Sequence, residues 1–476
     1  MKALVTDLYE LTMSYVYFKN GMKDKIAYFD VFYRAVPDQG GYVIACGLES
    51  IIEYINNFKF EEDDLEFLKN KAYYDDDFIE YLRNLKFTGS IYAVKEGTVV
   101  FPYEPVIVVK APIIEAQLLE TYLLMLFNHQ SLIATKANRI VRAAKDRAVS
   151  EFGARRAHGE SAVMLGTRAA YIGGAIGTSV VEAEKVYGIK SFGTMAHSYV
   201  QSFDSEYEAF KIFALTYPNG ASFLIDTYDV LNSGLKNAIK VFKEILEPMG
   251  IRSGSVRIDS GDLSYLSNEV RKELDRNGLD YVKIMVSNSL DEYSITEMLQ
   301  NGASVDLYGV GERLITSKSS AVLDGVYKLS AIEENGIIKP LMKISASPAK
   351  TTNPGPKKVY RIYDSATGKA EADLICTMNE VIDSTKPLTI FDPVYTYKKK
   401  TYTNYKLREL LEPIFVDGVQ VYKSPNIHEI REYALKEVDT LWLEVLRYNY
   451  PHGYYVDLSD KLYNLKKQII TEKSNA

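Results

Sequence analysis

Cysteine is almost absent: the 476 residues hold only Cys46 and Cys376. Two thiols in so long a chain exclude a disulfide scaffold and point to a reducing compartment. Histidine is sparse as well, five in all, and no Cys/His spacing suggests a structural zinc site. Long apolar runs are missing; none reaches the roughly 18 residues that a membrane-spanning helix needs. Charges in Met1-Lys-Ala-Leu-Val-Thr-Asp-Leu-Tyr-Glu10 stand where a signal peptide requires an apolar core. Positive charge is not in excess: the formal net charge is -7, which argues against general affinity for nucleic acid. These absences predict a soluble cytoplasmic protein with neither a nucleic acid nor a membrane as partner.

The length suits two or three domains. Residues 4–22 predict an amphipathic helix, capped by Thr6 or Asp7, with Tyr9, Met13 and Tyr17 on one face. Residues 26–34 alternate and are rich in aromatics, which predicts a strand. Short strands follow between Ser90 and Lys110. A long apolar helix is expected from about Pro112 to His129, and Ser131 is placed to cap another, through about Lys145.

A regular alternation then begins. Each short β-like run ends in a polar or glycine-bearing loop and leads into a helix-like run. The ends fall at Glu151-Phe-Gly-Ala-Arg-Arg156, Gly174-Ala-Ile-Gly-Thr178, Gly193-Thr-Met-Ala-His-Ser198, Phe223 to Asp229, Val256 to Asp262, Ile284 to Ser289 and Asp306 to Arg313. Their spacing of about 25–35 residues is that of a β/α unit. Such units build a parallel sheet; seven ends favour a barrel, with an open sheet as the alternative. The run from Tyr187 to Phe192 reads as the strand before His197, and Ser205 to Phe213 as the helix after it. Beyond about residue 325 the pattern becomes antiparallel. The loop from Pro348 to Lys358 is basic, rich in Pro and Gly, and expected to be exposed; its composition permits a lid. The tail, about 425–468, is largely helical.

In a parallel β/α architecture the loops at the carboxyl ends of the strands converge on one mouth. Here those ends carry Arg155 and Arg257, suited to carboxylate or phosphate. They carry Asp226, Asp229, Asp259 and Asp262, acceptors for ribose hydroxyls or Mg²⁺. Gly309-Val-Gly311 precedes a helix-like start and can cradle a phosphate. His197, in a loop of small residues, can act as a base, a nucleophile or a metal ligand. Any one of these could be an ordinary turn, cap or core residue. Together they imply a substrate with phosphates and vicinal hydroxyls.

The motifs Thr6-Asp-Leu-Tyr-Glu-Leu-Thr-Met13, Glu151 to Arg156, Gly193 to Ser198, Val256 to Asp262 and Tyr308-Gly-Val-Gly311 closely resemble those of the nicotinate phosphoribosyltransferase family. So do Lys350 to Lys357 and Tyr450 to Ser459. The resemblance implies a type II phosphoribosyltransferase fold, an irregular α/β barrel beside an N-terminal α/β sandwich, with C-terminal β and helical segments. The domains expected are 1–110 for the sandwich, completed by part of the C-terminal region, 111–325 for the barrel and 326–476 for the remainder. It implies that nicotinate, phosphoribosyl pyrophosphate and ATP give nicotinate mononucleotide, diphosphate, ADP and phosphate in NAD biosynthesis, with Mg²⁺ and a phosphohistidine at His197.

The carried-over roles are specific. Phe152 and Tyr9 sandwich the pyridine, Tyr9 coming from the second subunit of a homodimer. Arg257 lies near nicotinate and the phosphoribosyl group, Arg155 near phosphate, and Asp259 takes ribose hydroxyls. Gly309 and Gly311 hold the 5-phosphate, beside Ser287 and Asn288. Thr178 offers a hydroxyl where nicotinamide-specific relatives carry an acid. Ser198, Glu160 and nearby Asp residues are candidates to orient His197, and no metal ligands are assigned. The alternatives are a nicotinamide or quinolinate enzyme, the latter shorter and in need of more cations, and a catalytically silent nucleotide-binding relative.

Overall fold

The computed structural model describes residues 2–347 and 350–474. It divides into two compact units, residues 1–132 with 322–476, and residues 133–321.

The first unit is built on a seven-stranded antiparallel sheet. Its order is Ile337–Pro340, Gly325–Glu334, Ile26–Tyr33, Ile107–Pro112, Ser90–Val94, Leu411–Val416 and Val419–Gln420. Three N-terminal strands thus lie in the middle of one sheet, with two C-terminal strands on either side. A second sheet runs Tyr405–Glu409, Lys357–Asp364, Ala370–Thr377, Tyr455–Leu458. Buried polar contacts tie the two chain ends together: Lys357 Nζ lies 2.7 Å from Asp30, and Arg361 pairs with Asp373 at 2.6 Å while donating to the Val99 carbonyl. An unpaired charge at such depth would cost several kcal/mol, so each partner fixes the other.

Several expectations change here. The N-terminal helix spans Leu8–Lys19 and buries Glu10, Leu11 and Ser14, whereas Tyr9 is exposed. Asp7 is its N-cap by backbone geometry, without a side-chain cap bond. Ser131 caps nothing: it lies inside the helix Glu120–Ala143, where its hydroxyl accepts from the Cys46 N–H and donates to the Cys46 carbonyl. Lys357 and Lys358 are buried in a strand, not exposed in a loop, because Asp30 draws Lys357 inward. Pro348 and Ala349 of that expected loop lie outside the described residues.

The second unit holds a parallel sheet in the order Ala148–Glu151, Leu307–Val310, Lys283–Ser287, Ser255–Ile258, Ser222–Leu224. Single parallel bridges, Glu151 to Thr178 and Thr178 to Ser191, extend it by two further segments. The seven expected strand ends therefore lie in one array, five as strands and two as bridges. The run from Tyr187 is not a regular strand. The helix Val181–Tyr187 occupies its start and Gly188, at φ 72°, terminates it, a conformation that favours glycine. Among the described residues no ladder joins Ser222–Leu224 to residues 190–192. Side chains span that gap at the carboxyl ends, through Thr194 to Arg257 and His197 to Thr227. No helix among the described residues is long and apolar enough to cross a membrane.

Candidate active site

Strand alternation sets the first functional group. In Ser255–Ile258 the side chains of Val256 and Ile258 are fully buried, which sends Ser255 and Arg257 to the opposite face. The Arg257 guanidinium is then held by three groups from three segments. Nη2 donates to Asp259 Oδ1 at 2.8 Å, Nε to Ser287 Oγ at 2.9 Å and Nη1 to Thr194 Oγ1 at 3.3 Å. Ser287 Oγ itself donates to Asp259 Oδ1. Asp259 Oδ1 is therefore engaged twice, and Oδ2 remains the oxygen suited to accept from a ligand. The Arg257 guanidinium also lies 5.9 Å from the Phe152 ring centroid, within the range of a cation–π contact.

Asp226 supports this arrangement from beneath. Its Oδ2 accepts from the Asp259 N–H at 3.0 Å and from Ser260 Oγ at 2.6 Å. Its Oδ1 is buried without a hydrogen-bond partner. Buried carboxylate oxygens are normally satisfied, so this one is an available acceptor. His197 is the first residue of the short helix His197–Gln201, with Ala196 as N-cap. Its Nδ1 lies 3.1 Å from Thr227 Oγ1. None of the residues expected to orient it holds that position; the hydroxyl next to Asp226 does.

The other expected residues divide. Phe152 follows the buried Glu151, and its ring packs where a β-carbon on Gly309 would come, 3.0 Å away. Met285 Cε would be 2.7 Å from the same β-carbon. A β-carbon on Gly309 would thus crowd the ring and the Met285 methyl, whatever the Gly309 backbone binds. Gly311 adopts φ -109° and ψ -108° as the N-cap of Glu312–Ile315. Asn288 is exposed at φ 99°, a strained conformation for this residue and of the kind found at ligand-binding turns. Arg155 and Ser198 are exposed. Tyr9 belongs to the other unit, where burial and neighbouring carboxylates, Glu120 foremost, raise its phenol above the ordinary range.

Thr178 differs most from expectation. It is fully buried, and its hydroxyl donates to Glu151 Oε2 at 2.8 Å while accepting from the Val180 N–H at 3.1 Å. The hydroxyl hydrogen expected to meet a substrate is already engaged. Thr194 and Thr227 carry no assigned role in the sequence reading. Their partners are 63 and 30 residues away in the chain, and no local signal announces such contacts.

A parallel β/α array with a fixed guanidinium, acidic acceptors and an imidazole at its carboxyl ends has the groups that an enzyme acting on a phosphorylated, hydroxyl-bearing substrate needs. The comparisons narrow that class. Residues 147–374 match the nicotinate phosphoribosyltransferase (NAPRTase) family, 4–128 its N-terminal domain and 356–466 its C-terminal domain. Nicotinate phosphoribosyltransferase of Bacillus subtilis is 45% identical over 99% of this chain and 95% of its own length. The human enzyme of that name is 30% identical over 99% of this chain and 97% of its own. The crystal structure of human nicotinic acid phosphoribosyltransferase superposes with a TM-score of 0.86 at 29% identity, covering 98% of this chain and 100% of that one. The nicotinate-nucleotide pyrophosphorylase of Pyrococcus furiosus follows at 0.69 and 27% identity, over 92% and 95%. The chain belongs to the nicotinate phosphoribosyltransferase family, a family of enzymes.

Proposed function

We propose that this chain transfers the phosphoribosyl group of 5-phosphoribosyl 1-pyrophosphate to nicotinate in NAD biosynthesis. The ring nitrogen bonds to C1 of the ribose as the C1–oxygen bond to pyrophosphate breaks. ATP is hydrolysed alongside, through a phosphohistidine at His197. The observation that carries this reading is the Arg257–Asp259–Ser287–Thr194 network beside His197, in a chain that matches enzymes of that name end to end.

Phe152 gives the pyridine a flat face to stack on, with Arg257 beside it to balance negative charge. Asp259 Oδ2 suits the ribose hydroxyls. The backbone at Gly309 and Gly311, beside Ser287 and Asn288, suits the 5-phosphate, and Arg155 is a free-standing cation for further phosphate. Ser198 adjoins the reactive imidazole. Tyr9 completes the stack from the second copy of a homodimer. With Nδ1–H donating to Thr227, His197 Nε2 carries the lone pair that attacks the γ-phosphoryl group of ATP, and ADP leaves. Water then cleaves the phosphohistidine to phosphate.

Among the described residues no three Asp, Glu, His or Cys side chains converge as a metal cage. That pattern fits Mg²⁺, which usually takes one or two carboxylates and completes its shell with substrate phosphates and water. Asp226, with its unpartnered Oδ1, is the donor best suited to hold it. When bound, Mg²⁺ neutralises the charge of the departing pyrophosphate.

The test is incubation with γ-labelled ATP and Mg²⁺, wild type beside His197→Ala, with product assayed from nicotinate and phosphoribosyl pyrophosphate. Acid-labile, base-stable label on the wild type alone, with nicotinate mononucleotide formed, is the expected result. Product without label would leave a transferase uncoupled from ATP. Neither would favour a silent relative.

A further inference from the structure

The strands Lys283–Ser287 and Leu307–Val310 run parallel and adjacent, with Gly309 opposite Ser287 in the register. The turns that follow them, 288–291 and 311–313, therefore leave the carboxyl edge as neighbours. Neither turn has ordinary backbone. Asn288 and Ser289 take φ 99° and 50° in succession, and Gly311 takes φ -109° with ψ -108°. Such conformations persist only where the surroundings hold them. One ion pair joins the far ends of the two turns: Arg313 Nη1 donates to Asp291 Oδ2, with side chains 39% and 14% exposed. Asp291 Oδ1 has a separate task. It accepts from the Tyr293 and Ser294 N–H groups at 3.1 and 2.8 Å, as the N-cap of the helix Glu292–Gln300. Burial pushes the Asp291 carboxyl up, but the Ser294 N–H and Arg313 outweigh it and hold the group below its ordinary pKa. Deeper in the fold, Lys136 Nζ donates to Glu292 Oε1 at 3.0 Å and to Ser319 Oγ at 2.8 Å. That buried link packs the two segments together independently of the Asp291–Arg313 pair.

We propose that Asp291 and Arg313 are positioning residues for the 5-phosphate: their ion pair holds the Asn288 turn and the Gly311 turn at the separation that lets both bind one phosphate. This rests on the transferase reading above, which gives the 5-phosphate to Gly309 and Gly311 beside Ser287 and Asn288. Arg313 acts through Asp291, not on the ligand, because its guanidinium is already turned to a carboxylate of its own chain. A cradle made of two turns binds an anion well only when both are fixed beforehand; otherwise the cost of ordering them comes out of the binding energy. Arg257 and Asp259 are anchored by other groups, so nicotinate binding is spared.

Asp291→Asn tests this without loss of the helix cap, since the amide oxygen still accepts from Tyr293 and Ser294 while the NH₂ faces Arg313. The expected result is a KM for phosphoribosyl pyrophosphate raised about tenfold, with the nicotinate KM within about twofold. Inhibition by ribose 5-phosphate should weaken to the same degree, and inhibition by pyrophosphate should not. Arg313→Met should match Asp291→Asn, and the double variant should be no worse than either single one. Arg313→Met acting alone, with Asp291→Asn like wild type, would make Arg313 a direct phosphate ligand and overturn the proposal. Equal rises in both KM values, weaker inhibition by pyrophosphate, or full additivity would overturn it too. Calorimetric titration with phosphoribosyl pyrophosphate reads the same pair without turnover. An about tenfold weaker Kd in Asp291→Asn, beside wild-type protein that makes no nicotinate mononucleotide, would uphold the pair's role and refute the transferase reading instead.

Discussion

The two ends of the parallel sheet in residues 133–321 carry similar residue types and differ in how those residues are held. The amino end opens a cavity of about 630 Å³, lined among others by Asp146, Arg147, Lys283, Met285 and Asp306. Its charges pair on the rim: Lys283 with Asp306 at 3.2 Å and Arg147 with its neighbour Asp146 at 2.8 Å. At the carboxyl end Arg257 and Asp259 pair at 2.8 Å with side chains only 16% and 32% exposed, and two hydroxyls share the network. Rim pairs are solvated and interchangeable; a partly desolvated fork with fixed partners is preorganised for a charged substrate. The proposed reaction is placed at the carboxyl end and not at this cavity. What marks the site is the convergence of fixed polar groups, with Asp226 Oδ1 still unpartnered.

If that contrast is sound, the largest effect comes from Arg257. Arg257→Ala should lower kcat/KM about a thousandfold, as loss of a preorganised charge in a partly dry site commonly does. Arg257→Lys should recover little, because an ammonium cannot reach Asp259, Ser287 and Thr194 from one planar fork. Steady-state kinetics with nicotinate and phosphoribosyl pyrophosphate decide this. A loss under tenfold for the alanine variant would place the chemistry elsewhere.

Met285 connects the two ends, since it lines the amino-end cavity and also abuts Gly309 beside Phe152. Gly309→Ala should displace the ring and raise the nicotinate KM about tenfold, matching roughly 1.4 kcal/mol of overpacking. Adding Met285→Ala should restore most of that loss, because the crowded methyl group is removed toward open space. The second change should itself lower stability by about 2 kcal/mol, at the low end for a truncated core methionine. Kinetics and thermal melting on the two single variants and the double variant read both effects. Failure of the double variant to recover would mean that Gly309 is needed for its backbone alone.

How much of this was legible in the sequence follows from the range of each contact. Arg257, Asp259, Ser287 and His197 could be found because each sits just past a short apolar run, a local pattern that places it at a strand end. The partners could not. Ser131 looked like a helix cap because its true partner, Cys46, is 85 residues away. Lys357 looked like an exposed loop lysine until the sheet brought Asp30 beside it. Thr178 was readable as the end of a β-like run, yet which group takes its hydroxyl depends on the bridge to Glu151. The Tyr187–Phe192 run is a different kind of miss. Gly188 is a local stop signal for the preceding helix and was readable as one.

The smallest effect is the sharpest check on the comparison. Lys283→Ala removes a rim charge from the amino-end cavity. Its side chain is 65% exposed, and Asp306 keeps its 2.9 Å bond from the Ile284 N–H when the lysine is gone. The pair is therefore worth less than about 1 kcal/mol, and kcat/KM should stay within about twofold of wild type. Raising the salt concentration should not separate the two proteins further, because screening already weakens an exposed pair. A tenfold fall in kcat/KM at unchanged melting temperature would show that the amino end acts on the reaction. Convergence of fixed polar groups would then no longer distinguish one end of the sheet from the other.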